Sequence, residues 1–205
     1  MNKEIITLPL FPLNGAILFP ESNLPLNIFE ERYIDMIDYA LSKDKKIGMI
    51  QSKEDGDELY RVGCVGKITS YHETDDNRYV INLYGVNYFK IIEEIKTQKK
   101  FRIFQIEENK KVISNIEIEK NNFDKFLLIE KFKLFISKTS PETNINSIEN
   151  LEIFELVKIL AMACPFTVSE KQMLLESINN NVLAKNLLTL FDFYNNQSAT
   201  SKVIN

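Results

Sequence analysis

The residues that could do covalent or metal chemistry are few and scattered. His72 is the only histidine in 205 residues, so a multi-histidine metal site is excluded. Beside a cysteine or serine it could serve as a general base, but it adjoins the turn-forming stretch "ETDDN" and reads as a solvated residue. Cys64 and Cys164 are far apart and form no CxxC pair, which argues against structural zinc and for two small reduced core residues. "GCVGKIT" (63–69) superficially suggests a phosphate loop. That loop needs four residues between its glycines and a hydroxyl residue directly after the lysine; here two intervene and Ile68 follows Lys67. The acidic residues fall on a helix face (Glu30, Glu31, Asp35, Asp38) or in turns (Asp55, Asp57, Asp75, Asp76), without the alternating spacing of a calcium loop. No catalytic residue, metal or cofactor is therefore expected.

Composition narrows the partners. The formal net charge is −4, whereas a general nucleic-acid binder usually carries a basic surplus. The one basic run, "KTQKKFR" (Lys96, Lys99, Lys100, Arg102), reads as a solvated hairpin end. No leader-like N-terminus and no apolar run of membrane-spanning length occur, so a cytoplasmic location without membrane contact is expected.

The elements that would carry any site divide near residue 112. Residues 4–10 read as a strand. Pro9, Pro12, Pro20 and Pro25 then punctuate an extended apolar path that cannot be helix, because proline fixes φ and pushes its predecessor to extended geometry. Over 29–42 the period changes, with Phe29, Tyr33, Met36, Ile37, Ala40 and Leu41 on one helical face. Strands are predicted at 46–51, 59–73, 78–95 and 101–108, with Gly63, Gly66 and Gly85 suited to the bulges and bends of a small closed barrel. Helices are predicted at 117–138, 148–163, after the capping box of Thr167 and Glu170, and at 182–194. The helix 117–138 is apolar on every side. It is expected to be covered all round, wedged between barrel and bundle; the alternative is that part of its surface stays open to grip apolar segments of other proteins. The fold class is α+β: an antiparallel barrel with one helix over 1–112, a C-terminal α-helical bundle over 113–195, and a disordered tail over 196–205.

The stretch "LPLFPLNGAILFPESNLPLNIFEERY" (8–33) closely resembles the opening signature of the Lon protease N-terminal, substrate-binding domain. The resemblance continues through Gly48, "LYRVGCVGKI" and "LYGVNYFKI", and "EKQMLLE" is similar to the later helices of stand-alone bacterial Lon-domain proteins. It implies a PUA-like β-barrel followed by a helical bundle, and structural roles for Pro9, Pro12, Glu30, Arg32, Gly63 and Gly85. There are departures: Glu21 stands where the family often has glycine, Asn27 where it often has histidine, Glu31 where it often has proline, and Tyr88 where it usually has arginine. The ATPase and Ser–Lys peptidase domains of full Lon proteases have no counterpart here, so a non-enzymatic module is expected.

The resemblance implies binding of exposed apolar segments of unfolded or partly unfolded proteins, as an adaptor or as a partner of a protease or chaperone. The candidate groove is Leu18, Phe19, Pro20, Leu24, Pro25, Phe29 and Tyr33, since proline-interrupted backbone leaves groups free to pair with another chain. The alternative reading is a small-ligand or RNA-binding PUA-like module.

Overall fold

The computed structural model describes residues 2–53, 58–110, 123–139, 148–177 and 179–200. Its elements are β1 (Asn2–Pro12), β2 (Asn23–Ile28), α1 (Glu31–Leu41), β3 (Lys46–Ile50), β4 (Val62–Glu73), β5 (Tyr79–Ile95), β6 (Ile103–Lys110), α2 (Lys125–Thr139), α3 (Ile153–Ala163), α4 (Val168–Leu175) and α5 (Asn180–Thr200). They form two compact units. One is Met1–Ser114 with Cys164–Glu176; the other is Asn115–Ala163 with Ser177–Asn205.

In the first unit the strands run in the order β2-β5-β4-β3-β1-β6, and β6 also pairs with β5, so the ladder returns to the strand it left. The sheet is mixed and not antiparallel throughout, because β1 and β3 are parallel, with Leu10 opposite Gly48 and Pro12 opposite Ile50. Parallel neighbours need a long crossover. Here the connection through β2 and α1 supplies it, which a strand-by-strand reading does not show. The core packs Leu8, Leu10, Ile50, Val65, Phe89 and Ile106 together.

The prolines fall where the backbone has an open side. Pro9 lies on the stretch of β1 paired with β6, Pro12 on the stretch paired with β3, and Pro25 on the edge strand β2. Between β1 and β2 the chain turns into the core, burying Ile17, Leu18 and Phe19. Gly85 makes room for it: a Cβ there would run into the Phe19 carbonyl. The same glycine borders a bulge, since Val65 is opposite Asn87 while Gly66 is opposite Gly85.

α1 buries Tyr33, Met36, Ile37 and Ala40. Phe29 is not on that face as expected; it precedes the helix and is 64% exposed. α4 opens on the predicted capping box, with Thr167 and Glu170 bonded reciprocally. The sequence grouped α4 with the bundle, but it lies in the sheet unit, where Gln51 Nε2 donates to the Val168 carbonyl at 3.1 Å.

In the second unit α2 begins at Lys125, where Asp124 Oδ1 accepts from the Phe126 and Leu127 amides at 2.9 and 3.2 Å. Residues 117–122 of the predicted helix lie outside the described residues. Phe135 packs on Phe191 and Tyr194 of α5, with ring centroids 5.3 and 5.6 Å apart. Lys131 pairs with Asp192 at 2.6 Å. Among the described residues Leu128, Ile129, Phe132 and Phe135 are buried, while Phe126 is 85% exposed and Leu134 is also exposed, so the helix is not covered all round by them as expected. The tail differs as well. α5 runs on through 196–200, a stretch with no glycine or proline to stop it, and 201–205 lie outside the described residues.

Candidate functional site

The seven candidate groove residues separate into two groups. Leu18, Phe19, Pro20 and Tyr33 are buried. Leu24 is half-buried on β2, and Pro25 and Phe29 are exposed. The register explains the split. Leu24, Leu26 and Ile28 oppose Leu83, Ile81 and Tyr79 on the inner face, whereas Asn23, Pro25 and Asn27 oppose Tyr84, Asn82 and Val80 on the outer one. That outer face carries exposed Val80 and Tyr84, with Asn82 Nδ2 donating to Asn23 Oδ1 and Thr69 Oγ1 at 2.9 and 2.8 Å. Among the described strands β2 pairs only with β5, so its other side is an open edge. Phe29 directly follows that edge.

A second feature of the same unit was not apparent in the sequence. A cleft of about 230 Å³ lies beside the first turn of α1, lined by Arg32, Tyr33, Lys100 and Arg102 together with residues of β1 and of the stretch after β3. Arg32 Nε donates to Glu30 Oε2 at 2.9 Å, and its guanidinium stacks on the Tyr33 ring, 4.5 Å from the centroid. The motif's charged pair thus engages itself. Arg102 meets both oxygens of Glu94 at 2.8 and 2.6 Å, and Lys100 reaches Glu31 at 2.6 Å. The bond from Lys100 holds the Glu31 carboxyl below its usual range, and the Arg102 fork does the same for Glu94. Burial raises the Tyr33 hydroxyl, against the pull of Arg32. The basic run read as a hairpin end supplies two of these three cations.

The remaining chemistry-bearing residues stay apart. His72 is exposed on β4 opposite Val80. Cys64 and Cys164 are buried and not disulfide-bonded, and burial pushes the Cys164 thiol up to about 12. Gly63 lets the Phe89 ring and the Met49 carbonyl close on β4. Asp55 and Asp57 lie outside the described residues. Among the described residues no group of three or more His, Cys, Asp or Glu is placed to hold a metal, and no helix is long and apolar enough to cross a membrane.

Comparison with known proteins agrees with this architecture. The model of the ATP-dependent protease La (LON) substrate-binding domain matches residues 7–190. The Lon protease of Dictyoglomus thermophilum is 31% identical over 179 residues, covering 84% of this chain and 22% of that protein. The Lon protease of Brevibacillus choshinensis is 25% identical over 198 residues, covering 90% and 24%. The chain thus spans less than a quarter of the length of these two relatives. Among solved structures, the Lon N-terminal domain protein from Xanthomonas campestris superposes with a TM-score of 0.64 at 16% identity, covering 90% of this chain and 98% of that one. The N-terminal domain of Mycobacterium avium complex Lon protease gives 0.61 at 16% identity, covering 93% and 98%.

Proposed function

Because this chain belongs to the Lon substrate-binding domain family, we propose that it binds exposed apolar segments of unfolded or partly unfolded polypeptide, without catalysing a reaction on them. The observation that carries the reading is the open edge of β2 next to exposed Phe29. An edge strand offers unpaired backbone groups to an extended peptide, and alternate side chains of that peptide need an apolar neighbour to rest on. Pro25, Val80 and Tyr84 line the outer face beside the edge. Leu24 lies on the opposite face, and Leu18, Phe19, Pro20 and Tyr33 are buried and offer a peptide no exposed surface.

On this reading the returning ladder is the PUA-like barrel of the family, and the helices of the second unit are its accompanying bundle. The chain acts in the cytoplasm as an adaptor or chaperone-like partner in proteolysis. Burial and not charge drives the contact, so affinity is about micromolar and nearly independent of salt. Titration with a fluorescent unfolded-protein peptide tests this. Phe29→Ser, at an exposed position, should keep the fold and weaken binding by about tenfold. Unaltered binding by that variant, or no binding by the parent, would refute the reading. A steep salt dependence would favour nucleic acid instead.

A further inference from the structure

We propose that the cleft beside the first turn of α1 binds an oxyanion, a carboxylate or a phosphate, carried on a small apolar group. This goes beyond polypeptide recognition at the β2 edge and does not depend on it.

The sign of the lining is the first reason. Arg32, Lys100 and Arg102 come from two separate segments, and among the described residues no carboxylate lines the cleft with them. Their partners, Glu30, Glu31, Asp35 and Glu94, are not lining residues. The charged side chains of the described lining are therefore all cations, in a protein whose net charge is −4.

The second reason is that the cations are held in place. Glu94 grips Arg102 through two bonds, and the guanidinium lies 5.0 Å from the Phe104 ring centroid. Both contacts of Arg32 go to one oxygen of Glu30, which leaves further N–H groups of the fork for a ligand. Side chains fixed before binding lose less entropy when a ligand arrives.

The third reason is size and backing. Leu10, Leu59 and Phe101 give the cleft an apolar wall, and Asn14 and Ser52 give it a polar corner fixed by the 2.8 Å bond from the Ser52 amide to Asn14 Oδ1. A volume of about 230 Å³ is below the ~300–1,000 Å³ of sites for drug-sized ligands. It suits one amino-acid-sized group and not a whole nucleotide. The Arg32 and Lys100 side chains are 55% exposed, so water screens them and a dissociation constant of about a millimolar is expected.

The test uses the intact chain and backbone amide NMR shifts. N-acetyl-leucine supplies a carboxylate on an apolar group, N-acetyl-leucinamide is its neutral counterpart, and inorganic phosphate supplies the other oxyanion. The acid should shift the amides around Leu10, Arg32 and Arg102, and the amide should not. Binding of the acid alone identifies a carboxylate ligand, binding of phosphate alone a phosphoryl ligand, and binding of both the shared class. Arg32→Gln and Lys100→Gln lie at exposed positions. Each should leave the melting temperature unchanged and weaken oxyanion binding about tenfold. The proposal is overturned if neither anion shifts the cleft at up to about 50 mM, if the neutral amide shifts it as the acid does, or if both variants bind as the parent does.

Discussion

The Gln51 side-chain amide donates to Gln172 Oε1 at 3.1 Å, joining residues 121 positions apart. Gln51 also accepts from the Gly15 amide and donates to the Val168 carbonyl, both at 3.1 Å, and Gln172 Nε2 donates to the Val62 carbonyl at 3.1 Å. Both side chains are almost wholly buried. Gln51→Leu strands several buried polar groups at once. It should cost about 2–4 kcal/mol in urea unfolding, at about 1–3 kcal/mol for each group left without a partner. Hydrogen exchange should show α4 losing protection first.

Glu21 has φ of 65°, in the left-handed region. That conformation costs an ordinary residue roughly 1–2 kcal/mol, while glycine gives up about 0.5–1 kcal/mol of chain entropy. Glu21→Gly should therefore stabilise the protein by about 0.5–1 kcal/mol, read as a higher urea midpoint at constant slope.

At Gly85 the opposite holds. The added methyl of Gly85→Ala meets the Phe19 backbone, which cannot swing aside as a side-chain tip would. A loss of about 2–4 kcal/mol is expected. Phe19→Ser should be similarly damaging, since Phe19 is fully enclosed. Calorimetric melting of the two variants checks both.

The Tyr79 hydroxyl donates to Asp38 Oδ1 at 2.8 Å, and that bond, aided by burial, raises its pKa from 10 to about 12. The folded state thus holds this proton more tightly than the unfolded one. The resulting stability is complete below pH 10 and is lost as pH rises from 10 through about 12. Tyr79→Phe should be less stable by about 1 kcal/mol at neutral pH. It should also lose that part of the alkaline decline, and the phenolate absorbance of the parent should show a late-titrating group that the variant lacks.

Much of the first unit was legible because its signals are local. The turn formers of "ETDDN" between two apolar runs marked β4 and β5, the change of period marked α1, and Thr167 with Glu170 marked the start of α4. The family's usual glycine at position 21 and proline at position 31 also acquire reasons. Residue 21 is left-handed, and residue 31 is the first of α1, where proline fits well. What escaped the sequence depends on where separate segments meet. An apolar run is the same string of letters whether it is enclosed, as Leu18 and Phe19 are, or exposed, as Phe29 is. Lys100 and Arg102 read as surface charge because nothing near them in sequence announces Arg32. The place of α4 with the sheet rests on glutamine side chains, whose type implies no partner.

β1 pairs with β3 over only its last three residues, and its long ladder is with β6, where Asn2 lies opposite Lys110. A nascent chain leaving the ribosome must therefore hold β1 without its main partner until β6 has emerged, and α4 comes later still. This unit cannot assemble piecemeal from its N-terminus. Its rate of folding is governed by closure between distant segments, in the milliseconds-to-seconds range of sheets built from non-local pairs. For that interval the apolar β1 edge is open, which makes the growing chain itself a client for whatever shields exposed strands in the cell.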